Sequence, residues 1–187
     1  MGIGVLSAAL LGGCSPAPAG RSAGASPAPP VTLEAAKGGV IPAEKVKACA
    51  GFSAETAAGL LGVPAGQLVD RSSDVYDKLR SCSFLDPKQP GVGVTFSLRR
   101  DDSVEDAAQE MASFRDHLGV AQRVLPEPGG SSQAAAEEVP GLGDEAVWAR
   151  VNGTLNVREG NVTIQVAQPA DRELQKRVAE EVLAGLG

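Results

Sequence analysis

Three segments of alternating character, Glu145–Val151, Thr154–Arg158 and Asn161–Ala167, follow one another with two residues in each gap. So short a gap admits only a hairpin, so the three pair as antiparallel neighbours. The first gap is Asn152-Gly153, the dipeptide favoured in two-residue type I′ turns. A second hairpin is written upstream. Arg80–Asp86 places Cys82 and Phe84 on one face, and Val92, Val94, Phe96 and Leu98 repeat with period two. The intervening Asp86-Pro87-Lys88-Gln89-Pro90-Gly91 is rich in turn residues.

Helical spacing fills the rest. Ser53 is placed as an N-cap for SAETAAGLLG, with Ala54, Ala57, Ala58 and Leu61 on one side and Gly62 as the stop. Ser103 and Asp106 resemble a capping start for a longer helix, in which Val104, Ala107, Ala108, Met111, Phe114 and Leu118 form one apolar stripe. Asp171–Leu186 repeats Leu174, Val178, Val182 and Leu186 at four-residue steps. The expectation is an α+β domain with a single twisted antiparallel sheet of about five strands. Its helices pack on one face, in the order α-β-β-α-β-β-β-α. An extra short strand around Gln122–Leu125 is the one addition considered, and a Pro/Gly/Ser-rich loop follows over Pro126–Ser132.

The N-terminal part reads differently. Gly2–Gly13 is uncharged and rich in Leu, Ala and Gly, and it closes on Leu11-Gly12-Gly13-Cys14. That tetrapeptide resembles the lipobox of bacterial lipoproteins, which implies cleavage after Gly13 and acylation of Cys14 with diacylglycerol. The run is far below the ~20 residues a membrane-spanning helix needs, so residues 1–13 read as a signal-peptide core. No Lys or Arg precedes it, and a translation start upstream of Met1 is expected. Residues 14–44 then form a lipidated Cys and a Pro/Ala/Ser/Gly-rich tether, too poor in large apolar side chains to offset the entropy of ordering. Residues 45–187 are of the size of one globular domain. The composition, with Arg exceeding Lys and abundant Ala, Gly and Pro, points to a GC-rich genome. A formal net charge of −6 argues against a nucleic-acid partner.

With Cys14 assigned to lipid, Cys49 and Cys82 remain. In an exported protein an even remainder reads as a disulfide, here closing 33 residues. A metal site is disfavoured because His117, the single histidine, lies 35 residues from Cys82 with no paired ligand spacing.

Candidate chemistry is sparse. Gly20-Arg21-Ser22-Ala23-Gly24 fits the nucleophile-elbow pattern but sits in the tether without a strand before it or a helix after it. The doublets Asp101-Asp102, Glu137-Glu138 and Asp144-Glu145 read as solvated ends of elements, because adjacent side chains in a strand point apart. His117 reads as a surface or dipole-complementing residue near a helix end. Six aromatic residues leave little for stacking sugars or bases. Of these, Phe84, Phe96 and Phe114 fall on core faces, whereas Tyr76 and Trp148 do not, and Trp148 marks the rim of the core or of a pocket. The sequons at Asn152 and Asn161 read as turn residues.

Three marks occur together: the lipobox, the pair Cys49 and Cys82, and Gly141-Leu142-Gly143-Asp144-Glu145-Ala146-Val147-Trp148 leading into Thr154–Val166. Together they resemble a family of secreted lipoproteins, mainly actinobacterial, that share a domain of unknown function. The resemblance implies a location and a fold and brings no catalytic residues with it. Gly141 and Gly143 also have a local reading, as residues of positive φ that bend the chain into a strand, with Asp144 closing the turn. On that reading Asp144→Asn is expected to be mild. The resulting expectation has no catalytic residue, no metal and no cofactor. It is a monomeric, non-enzymatic envelope domain, held to the membrane by lipid on Cys14, that binds a partner protein or small ligand. The alternatives are a carrier or sensor with an apolar cavity and, third, an enzyme.

Overall fold

A computed structural model describes residues 38–124 and 136–187, with side chains described except over 120–124. The lipobox with Cys14, the tether up to residue 37, Gly20–Gly24 and the loop Pro126–Ser132 lie outside these residues. The described chain is α+β. Eight strands form one antiparallel sheet: β1 (Val69–Asp70), β2 (Ser73–Tyr76), β3 (Leu79–Leu85), β4 (Gly93–Arg100), β5 (Ala136–Glu138), β6 (Glu145–Ala149), β7 (Thr154–Glu159) and β8 (Val162–Gln168). The helices are α1 (Ala43–Lys47), α2 (Ala54–Leu61), α3 (Val104–Val124) and α4 (Arg172–Leu186), with a 3-10 turn at Cys49–Gly51.

The spatial order β1-β3-β4-β8-β7-β6-β5, with β2 also paired to β3, joins the two hairpins through β4 and β8. Eight strands replace the five expected, because β1 and β2 share the outer edge of β3 and β5 pairs with β6. None of the three has more than four residues. The strand considered around Gln122–Leu125 is absent over Gln122–Val124, which continues α3. The β6–β7 connection is a hairpin but not a type I′ turn. Ala149 pairs with Thr154 across a four-residue loop, and within it only Gly153 has positive φ, at 65°. The side-chain oxygen of Asn152 instead accepts from Thr154 N at 3.3 Å and Thr154 Oγ1 at 2.8 Å.

Register sorts the side chains. Directly opposed pairs share a face, so Cys82–Phe96, Phe84–Val94, Leu98–Ile164, Leu155–Val166 and Val157–Ile164 build one apolar inner face. Phe52 adds its ring to Phe84 and Phe96 at centroid distances of 5.4 and 5.1 Å. Val46, Ala57, Ala58, Val178, Ala179, Val182 and Leu186 bring α1, α2 and α4 onto this face. The disulfide Cys49–Cys82 joins the 3-10 turn to β3.

The helices do not all lie on that face. Met111 and Leu118 of α3 pack with Val147 and Ala149, which point to the opposite, outer face of β6. A strand such as Glu145–Ala149, buried on both sides, needs cover on both, and α3 supplies the second cover.

Candidate functional site

The segment Gly141–Trp148 is where the chain turns into β6. Gly141 and Gly143 have φ of 79° and 62°, conformations that glycine adopts without strain. At Gly143 a Cβ would meet the Arg158 carbonyl oxygen at 2.6 Å, so the two backbones are also in close contact. Asp144 N donates to that same carbonyl at 2.9 Å.

Asp144 and Glu145 are not solvated ends. They converge on Arg158, whose side chain is 6 % exposed, through Asp144 Oδ2 at 3.1 Å and Glu145 Oε2 at 3.2 Å. The reason is register. Glu145 stands opposite Arg158 in the hairpin, while Asp144, one residue before the strand, is free to curl over its end. Arg115 of α3 pairs with Glu145 and Glu138, extending the network across the outer face. Asp144 Oδ2 also accepts from Gly160 N at 2.9 Å and Gly38 N at 3.1 Å. The carboxylate is thus committed to holding two chain segments and a guanidinium together.

Trp148 is half-buried against the inner core. Its Nε1 donates to Gln175 Oε1 at 3.2 Å, and the fully buried Gln175 amide donates to Gly153 O at 2.6 Å. The guanidiniums of Arg150 and Arg172 stand 5.6 and 5.0 Å from the ring, within cation–π range. Both pair with Glu137, at 2.8 and 2.6 Å, and the Arg172 hydrogen bond holds the Glu137 carboxyl below its ordinary range. A cleft of about 240 Å³ opens beside them, with Glu138, Val139, Leu155 and Lys176 in its walls.

The outer face of β3, β4, β8 and β7 is polar. Ser81 stands opposite Ser97, Ser97 opposite Gln165, and Gln165 opposite Asn156, a row of short hydroxyl and amide side chains. Within it Gln165 Nε2 donates to Asn156 Oδ1 at 3.0 Å. Ser81, Ser97 and Gln165 are half-buried. Beside this row, where β4 passes into α3, lies a cleft of about 380 Å³ lined by Lys78, Arg99, Asp101, Asp102, Asp106, Gln109, Glu110 and Ser113. Lys78 pairs with Asp102 at 2.5 Å, and Arg99 with Asp101 at 3.1 Å and with Glu110. Asp101 is 6 % exposed and its Oδ2 has no partner; nearby, on the β8 strand opposite Arg99, the buried Thr163 Oγ1 has none either. Burial is the main cause that raises the Asp101 carboxyl above its usual range, with Glu110 and Asp106 adding to it against Arg99.

The other candidates disperse. His117 is exposed on α3 and Tyr76 is 74 % exposed on β2. Asn161 is fully buried, accepting from Ile41 N at 2.7 Å and donating to Asp101 O at 2.9 Å, so the sequon there is inaccessible. Among the described residues no group of three His, Cys, Asp or Glu side chains is placed to hold a metal ion, and no helix is long and apolar enough to cross a membrane. Sequence reasoning passed over Arg158, Arg115 and Gln175. A charged residue within an alternating strand, opposite a carboxylate in hairpin register, was the signal for Arg158.

Fold and surface together define a single-sheet α+β domain with a filled apolar face and a polar face flanked by one helix. Comparison of the chain with known protein families, curated proteins and solved structures yields no match.

Proposed function

We propose that the domain is a non-enzymatic binding module of a lipid-anchored bacterial envelope protein, of the lipoprotein kind that the Leu11–Cys14 and Gly141–Trp148 segments resemble. Its partner is a protein that docks on the outer face. The observation that carries this reading is the row Ser81, Ser97 and Gln165, half-buried and polar beside a cleft, where α3 packs its apolar side chains only at the β6 end. A carrier of apolar ligands is less well supported, since Phe84, Phe96, Leu98, Ile164 and Val166 are buried against one another and against the helices. An enzyme would call for a carboxylate free to move a proton, and those of Asp144 and Glu145 are tied to Arg158.

The test uses the full-length lipoprotein in a bacterial host. A photo-crosslinking residue at Ser97 should yield one adduct of defined mass, and the same residue at the exposed Glu180 of α4 none. Equal labelling at both positions, or none at either, counts against the reading. Wild type should pellet with membranes and Cys14→Ser should not; equal association would refute the anchor.

A further inference from the structure

We infer that the cleft between the end of β4 and the start of α3 is a receptor for a basic, extended polypeptide segment of the partner, whose lysine or arginine side chain enters the cleft while its main chain runs along the Ser81–Ser97–Gln165 row. The inference rests on the partner-binding reading. Charge is the first argument. Four carboxylates, Asp101, Asp102, Asp106 and Glu110, face two cations, Lys78 and Arg99, so the cleft is left with excess negative charge. The pairs that do form, Lys78–Asp102, Arg99–Asp101 and Arg99–Glu110, leave Asp106 without a cation among those lining the cleft.

The second argument is independent of the acidic count. Asp101 is more than nine-tenths buried, lines the cleft, and has an Oδ2 that accepts no hydrogen bond. A buried acceptor left unpaired is costly, and an incoming ammonium or guanidinium N–H is the donor that would satisfy it.

Hydrogen-bonding chemistry narrows the class. Register sets Ser97 two residues from Arg99 along β4, so the neutral row leads into the acidic cleft. Short hydroxyls and amides exchange hydrogen bonds with a peptide backbone at little loss of side-chain entropy. Neither the row nor the cleft lining contains an aromatic ring, which removes the stacking platform that sugars or bases would use. The formal charge of −6 over the chain draws a cationic partner in the same direction.

The experiment is fluorescence anisotropy of a labelled lysine-rich decapeptide and its glutamate-rich counterpart against the full-length protein in detergent. The basic peptide should bind and the acidic one should not, and affinity should drop by roughly tenfold between about 50 and 300 mM salt. Asp102→Asn with Asp106→Asn, both exposed, should weaken binding by about fivefold without shifting the melting temperature. The exposed pair Glu180→Gln with Glu181→Gln on α4 carries the same charge change and should leave affinity unchanged. Equal weakening by both pairs would show attraction by net charge alone and overturn the site, as would no binding at millimolar peptide. Specific capture at Ser97 of a partner whose binding ignores salt overturns this inference and leaves the partner-binding reading standing. Specific capture failing as well removes both.

Discussion

Replacing Gly143 by alanine separates two contributions that are usually confounded. The residue has φ of 62°, where a methyl group costs about 1–2 kcal/mol relative to glycine. Its Cβ would also stand 2.6 Å from the Arg158 carbonyl oxygen and 2.9 Å from Val157 Cγ1. The first of these is backbone, held by the Asp144 N–H and by the β6–β7 ladder, so it cannot turn aside as a side chain would. Overpacking of this kind adds about 1–3 kcal/mol. The total is about 2–5 kcal/mol, which lowers the melting temperature by roughly 6–15 °C for a domain of this size. Gly141 is the internal control: φ is 79°, but a Cβ there meets nothing within 4 Å. Gly141→Ala should therefore lose only the conformational part, about 1 kcal/mol and roughly 2–4 °C. Thermal melts and urea titrations of the two variants check the difference. Equal losses would refute the close-contact argument, and an unchanged midpoint for Gly143→Ala would refute the turn argument as well.

Three further outcomes are expected. Asp144→Asn, mild on a turn-closing reading alone, should cost about 2–4 kcal/mol, because it leaves the Arg158 guanidinium, 6 % exposed, with Glu145 as its remaining anion; a urea midpoint within error of wild type would disprove this. Asp101→Asn should raise the melting temperature near pH 7. A carboxyl whose folded pKa is raised opposes folding once it is ionised, above both its unfolded and folded values, and ceases to oppose it as pH falls below the unfolded value. The advantage should thus vanish on acidification to about pH 3, and a difference independent of pH would count against it. Replacing Cys49 and Cys82 together by alanine should cost about 3–4 kcal/mol for a closed loop of 33 residues, measured by urea unfolding of both proteins.

The elements legible in the sequence are those whose pattern matches their burial. The strands over residues 79–85, 93–100, 145–149, 154–159 and 162–168, and helices α2, α3 and α4, all bury one periodic stripe and read clearly. The strands β1 and β2 are short and exposed throughout, so no alternation marks them. The three residues of β5 owe their form to pairing with β6 and not to their own pattern. Cys49 and Ala50 adopt φ of 52° and 54°, which their residue types do not announce. The placement of α3 did carry a signal. Val147 and Ala149 are apolar and fully buried on the side of β6 opposite Ala146, and a strand apolar on both sides asks for a second layer. At the site, the cleft carboxylates were visible as doublets. Their grouping with Lys78 and Glu110 depends on how α3 departs from β4, which no spacing encodes.

The entry of the chain into the fold has a mechanical consequence. Gly38 N and Ile41 N are bonded to Asp144 and Asn161, and the next covalent tie is at Cys49, to the interior strand β3. Traction applied from the N-terminal side meets those two hydrogen bonds first, then the backbone contact of Gly39 with Gly160, where a Cβ on Gly160 would lie 1.9 Å from the Gly39 carbonyl oxygen. If they yield, only the stretch up to Cys49 can peel away, about 11 residues or roughly 40 Å of chain. Beyond that the load passes through sulfur into β3, between β4 and the β1 and β2 edge, where stretching must shear a ladder of hydrogen bonds instead of unzipping them singly.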